Sequence, residues 1–136
     1  MIEILKYGEQ GITRWIDNLI KEITENPKEF ISIARVHDGD KNYSFIALFK
    51  NKCTIGKYTA LIHEWGTNDG MSGEGGRGFI RMNDFLSDNN IEAIDLELDA
   101  KDAKQIGYMS KGSIQDWEKR KEIWKRYVDK LSYQLL

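Results

Sequence analysis

The chain has a single cysteine, Cys53, so no internal disulfide can form, and a reducing compartment such as the cytoplasm is its expected home. It has a single proline, Pro27, and no apolar run near the roughly 20 residues that a membrane-crossing helix needs. The first residues carry Glu3 and Glu9 and lack a continuous apolar stretch, which sets aside a secretory leader. Net charge is −2, so the basic balance that favours bulk nucleic-acid binding is missing. Catalytic signatures are missing as well: there is no G-x-S-x-G elbow, Walker A loop, EF-hand or paired-cysteine motif. No cofactor and no metal is expected. The 136 residues suit one domain, 1–136, whose core needs neither metal nor disulfide to fold.

Two amphipathic helices are legible. Ile12, Trp15, Ile16, Leu19, Ile20 and Ile23 recur at helical spacing, which predicts a helix from Gly11 to Glu25, ended by Asn26-Pro27. Trp117, Trp124, Tyr127, Val128 and Leu131 form a second stripe, with Ser113 as its expected cap and Asp116 three residues on. Between the helices, β-branched and aromatic residues predict strands over Phe30–His37, Tyr43–Lys50, Lys57–Trp65, Phe79–Met82 and Ile91–Leu98, with an Asp38-Gly39 turn after the first. Tyr43–Lys50 is apolar on both faces, the mark of a central strand covered on both sides or at an interface. The expected architecture is α+β: an antiparallel sheet of about five strands, flanked by an N-terminal and a C-terminal amphipathic helix packed on one face.

Charge is segregated along the chain. Residues 83–102 hold seven acids against Lys101 alone, and residues 104–130 hold eight bases against four acids. The simplest reading is that the two regions neutralise one another.

The most unusual segment is Gly66–Gly78, with six glycines in 13 residues. Gly73, Gly75 and Gly78 satisfy G-x-G-x-x-G, but the dinucleotide version needs a helix next, and Phe79–Met82 reads as a strand. A connection between strands, or a loop that orders on a partner, is the expectation. His63-Glu64 fails the H-E-x-x-H pattern, because Thr67 and Asn68 follow where the second histidine would stand, and in a strand the two side chains point to opposite faces. His37 reads as a strand-end residue. Cys53, between Lys52 and Lys57, lacks a legible histidine partner and reads as a turn residue. Trp65, where a strand enters the glycine run, can anchor a partner or stack a base.

The favoured reading is a small binding protein that occludes a protein partner, in the manner of an inhibitor or immunity protein. Its surface would be Trp65, Asn68, Asp69, Glu74, Arg77 and Arg81 together with the acidic edge at Asp95 and Glu97. The alternative is a nucleotide- or small-ligand-binding domain that closes the 66–78 segment over its ligand, with Arg77, Arg81 or Lys57 on phosphates. A third, nucleic-acid binding through Lys119, Arg120, Lys125, Arg126 and Lys130, is weakened by the interleaved Glu118, Glu122 and Asp129.

Overall fold

The computed structural model describes residues 2–39, 41–50, 57–68, 70, 73–107 and 111–135, the side chain of Glu74 excepted. Asp69 and residues 51–56, with Cys53 among them, lie outside that set. Nine elements follow in order: β1 (Ile2–Lys6), α1 (Trp15–Glu25), β2 (Phe30–His37), β3 (Asn42–Lys50), β4 (Tyr58–Asn68), α2 (Gly73–Asp88), β5 (Ile94–Glu97), α3 (Ala100–Ile106) and α4 (Trp117–Leu135). Among the described residues no helix is long and apolar enough to cross a membrane.

The fold is α+β, but the sheet is mixed and not antiparallel. Its order is β1-β4-β3-β2-β5. β1 runs parallel to β4 and β2 parallel to β5, while β3 is antiparallel to both of its neighbours. Four strands therefore share one direction and only β3 opposes them. The connections β1-α1-β2 and β4-α2-β5 each join parallel strands and move across the sheet the same way. Their helices share one face, as the fixed hand of such crossovers requires.

Alternation along β3 sorts the core. Phe45, Ala47 and Phe49 pack with Ile16, Leu19 and Ile23 of α1 and with Met82 and Leu86 of α2. Ile46 and Leu48 pack with Ile106 of α3 and with Trp124, Tyr127, Val128 and Leu131 of α4. The two-sided apolar pattern of β3 thus reflects a central strand buried on both faces. The N- and C-terminal helices do not share a face, contrary to the expectation from sequence.

The largest correction concerns the glycines. Phe79–Met82 is not a strand: the run from Gly73 is the start of a 16-residue helix. Phe79, Met82 and Leu86 supply its apolar stripe, and two turns earlier glycines take the same role. A Cβ on Gly78 would stand 3.3 Å from Thr13 Cβ and 3.4 Å from Thr67 Cγ2, so α2 lies close against β4 and the start of α1. The far end closes on Asn90 in the left-handed region, φ 55, with Asn90 N–H donating to Ser87 O and Ile91 N–H to Leu86 O. At α4 the cap is Asp116, whose Oδ1 accepts from Glu118 N–H at 3.1 Å, and not Ser113.

Candidate functional site

Parallel strands followed by helices leave a crevice beyond their carboxyl ends, the usual ligand position in such sheets. Here β1 ends beside Ile62 while β4 runs on to Asn68, and the chain leaves them for α1 and α2. Between the two connections lies a cavity of about 290 Å³. Gly11 and Thr13 line it from the first connection, Trp65, Gly66, Thr67 and Asn68 from the end of β4, Asn42 from β3, and Gly75 from α2.

A break in the β3–β4 ladder shapes the floor. Tyr43 pairs with Thr67, but Phe45 pairs with His63, so Glu64, Trp65 and Gly66 stand opposite Ser44 alone. Trp65 takes up the surplus in the left-handed region, φ 53, with its N–H donating to Ser44 Oγ at 2.8 Å. That conformation costs a non-glycine residue about 1–2 kcal/mol, and such strain gathers at functional sites. Gly66 follows because nothing larger fits: a Cβ there would lie 2.1 Å from His63 Cε1. Gly66→Ala is expected to lower stability by about 1–3 kcal/mol, read as a shift in the denaturation midpoint; an unchanged midpoint would mean the ring is free to move aside.

Ordinary strand alternation sends the side chains of His63 and Glu64 to opposite faces. His63 is 1% exposed, and neither ring nitrogen has a hydrogen-bond partner. Burial pushes its pKa down to about 4; the nearby carbonyls of Ile12 and His63 work against this without meeting hydrogen-bond geometry. The Thr13 hydroxyl and the Trp15 indole N–H are also buried without a partner. All of these groups lie around the start of α1 and the adjoining part of β4. Buried polar groups are paired in the great majority of folded proteins, so such a cluster calls for an explanation.

On the opposite face Glu64 is fully engaged. Arg120 reaches it through Nε at 2.9 Å and Nη2 at 2.9 Å, and Trp124 Nε1 donates to it at 2.8 Å. Arg120 is 4% exposed, which removes it from any nucleic-acid surface. Arg126 is held by Asp102 at 2.7 Å. The neutralisation expected between the acidic and basic regions occurs at this pair.

Of the residues singled out from sequence, the structure brings Trp65 and Asn68 to the cavity. Arg77 is exposed on α2. Arg81 is paired with Asp17 of α1 at 2.9 Å. Asp95 sits on the edge strand, where the Arg35 guanidinium, by hydrogen bonding, holds its carboxyl below the usual range. Glu97 is exposed at the same end of the sheet as Asn68 but three strands away, about 14 Å at the usual strand spacing. Lys57 precedes β4 and so lies at the far end of that strand, away from the cavity. His37 stacks on Tyr43, which stacks on Phe79. Among the described residues no group of three or more metal-ligating side chains converges. Sequence reasoning missed Thr13, Asn42 and Gly11. The available signal was that both connections, 7–14 and 66–78, are punctuated by glycines. Compared with protein-family models, curated proteins and solved structures, the chain matches none.

Proposed function

We propose that this protein is a small-ligand-binding domain whose ligand sits in the crevice beyond the carboxyl end of β1, along the last residues of β4. The observation that carries the reading is the set of unpartnered buried polar groups at that crevice: the hydroxyl of Thr13, a residue of its wall, and the His63 ring behind Gly66. Left unpaired, each such group costs about 1–3 kcal/mol, and a bound molecule able to reach it would recover part of that loss. The helix required after a glycine-rich segment is in place, which removes the objection raised by the sequence. The position also agrees with the general rule for ligands in open, largely parallel sheets.

The test is amide NMR on labelled protein titrated with mixtures of small polar metabolites. Perturbations are expected to gather on Gly66, Thr67, Asn68 and Gly75. Silence at millimolar concentrations, or shifts scattered over other surfaces, would sink the reading.

Occlusion of a protein partner is the second reading, favoured by one observation. Tyr133 is 91% exposed beside a groove of about 430 Å³ that also involves Leu96 of the acidic edge strand. Two of the contacts proposed for such a partner are engaged within the chain: Arg81 holds Asp17 and Asp95 holds Arg35. The crevice therefore supports the ligand reading more directly.

A further inference from the structure

The residues around the crevice also bear on what kind of group it holds, provided the ligand-binding reading stands. Among the described residues, none that lines the cavity is charged. Thr13, Thr67, Asn42 and Asn68 are instead groups that both donate and accept hydrogen bonds. A phosphate or carboxylate gains most from a guanidinium or ammonium, and among the described residues neither lines the cavity. Lys57 lies at the opposite end of β4, and Arg81 is committed to Asp17.

The two carboxamides carry a more specific message. Asn42 and Asn68 are cross-strand partners, so they stand side by side at the mouth of the cavity. Asn68 Oδ1 accepts from Gly70 N–H at 3.0 Å. Asn42 Nδ2 donates to Asp38 Oδ2 at 3.2 Å. Each amide thus has one end occupied inside the protein. Asn68 keeps its N–H donors, and Asn42 keeps its carbonyl acceptor. An adjacent donor and acceptor are what the edge of a nucleobase reads, and asparagine is a common partner of such edges. Trp65 adds an aromatic residue to the lining, and bases stack readily on aromatic rings. At about 290 Å³ the cavity lies at the small end for ligand pockets, enough for one ring system with the rest of the molecule in solvent.

We infer that the crevice holds an uncharged planar heterocycle with adjacent hydrogen-bond donor and acceptor, the chemistry of a nucleobase, read by Asn42 and Asn68 with the Thr13 hydroxyl as an inner partner. A sugar or phosphate attached to the ring lies outside and contributes little.

Thermal shift and titration calorimetry with adenosine, guanosine, cytidine and uridine test this against their 5′-monophosphates and inorganic phosphate. At least one nucleoside should raise the melting temperature, its monophosphate should do no better, and phosphate alone should do nothing. Thr13→Val removes a buried hydroxyl without a partner, so the free protein should be at least as stable as the parent. The variant should bind the nucleoside roughly fivefold or more weakly, the scale of one hydrogen bond. Asn68→Asp, which replaces the donor with an acceptor, should abolish the shift. A response confined to phosphorylated compounds would overturn the nucleobase assignment and leave the ligand reading intact. So would amide shifts at the crevice from some other compound with no response to any nucleoside. Silence from every compound in both experiments would remove the two together.

Discussion

Arg120→Met is expected to destabilise the protein by about 3–5 kcal/mol, seen as a fall in the denaturant midpoint at unchanged slope. The size follows from what is left behind. The Glu64 side chain is 1% exposed and that of Arg120 is 4% exposed, so neither charge is solvated by water. Together they neutralise one another, and the remaining valences are met locally. Arg120 Nη1 donates to the carbonyls of Gln115 at 2.7 Å and Ile114 at 3.3 Å, and Trp124 satisfies the second carboxylate oxygen. The guanidinium thereby ties three pieces together: β4, α4 and the segment that leads into α4. Removing it strands a carboxylate in the core and frees two carbonyls.

The pair as a whole is worth much less than its breaking suggests, because bringing two charges out of water consumes most of their attraction. Glu64→Leu combined with Arg120→Met should therefore recover most of the loss, and the double-mutant cycle should show strong coupling. Trp124→Phe keeps the apolar ring and loses only the hydrogen bond to a charged acceptor, about 1.5–3 kcal/mol. Simple additivity of Glu64→Leu and Arg120→Met, or a loss below about 1 kcal/mol for Arg120→Met alone, would show that the pair does not hold α4 to the sheet.

Arg120 also shows where sequence reading reached its limit. It falls on the same stripe of α4 as Trp117, Trp124, Tyr127 and Leu131, and the apolar members of that stripe were legible from their spacing alone. Periodicity cannot tell that one arginine on a helix with many surface charges is buried. That depends on Glu64, 56 residues away on a strand. The two-sided pattern of β3 was legible because it is local. The parallel pairing of β1 with β4 was not, since five residues with one buried side chain, Ile4, make a weak signal. α2 was hidden for another reason. Glycine has no side chain to enter a hydrophobic pattern and is a poor helix former, so the helix could not be recognised in its first turns. Gly78 lies where α2 packs against Thr13 and Thr67, and Gly75 where it packs against Asn68, which are tertiary facts. At the site, the glycine-rich stretch, Trp65 and Asn68 stood out by composition and place. Thr13, a lone threonine in a connection, carried no signal. In the sequence His63 belongs only to an incomplete zinc motif, whereas what distinguishes it in the fold is burial without a partner.

His63 leads to the second large effect, a loss of stability on mild acidification. Its pKa is about 4 in the folded protein against 6.5 for an ordinary histidine, and burial is the main cause. Above pH 6.5 the imidazole is neutral in both folded and unfolded chains, and the folded state carries no penalty. As the pH falls below 6.5 the unfolded chain takes up a proton that the folded protein refuses. Stability is lost progressively until about pH 4, where the buried ring is protonated as well. The whole window amounts to roughly 3 kcal/mol, and the part between pH 6.5 and 5 to about 2 kcal/mol. That upper part is the diagnostic one, because most surface carboxylates are still ionised there. His63→Leu removes the titrating ring and two unpartnered nitrogens while keeping apolar volume, so at pH 7.5 the change should stay within about 1.5 kcal/mol. The measurement is a set of urea unfolding curves at pH 7.5, 6.5, 5.5 and 5.0 for both proteins. His37 is present in each, so the difference in slope isolates His63. The parent should lose stability steadily below pH 6.5 and His63→Leu should lose much less. Parallel curves would mean that the ring is not held neutral in the folded core, and that solvent or an internal acceptor reaches a nitrogen left without a partner in the structure.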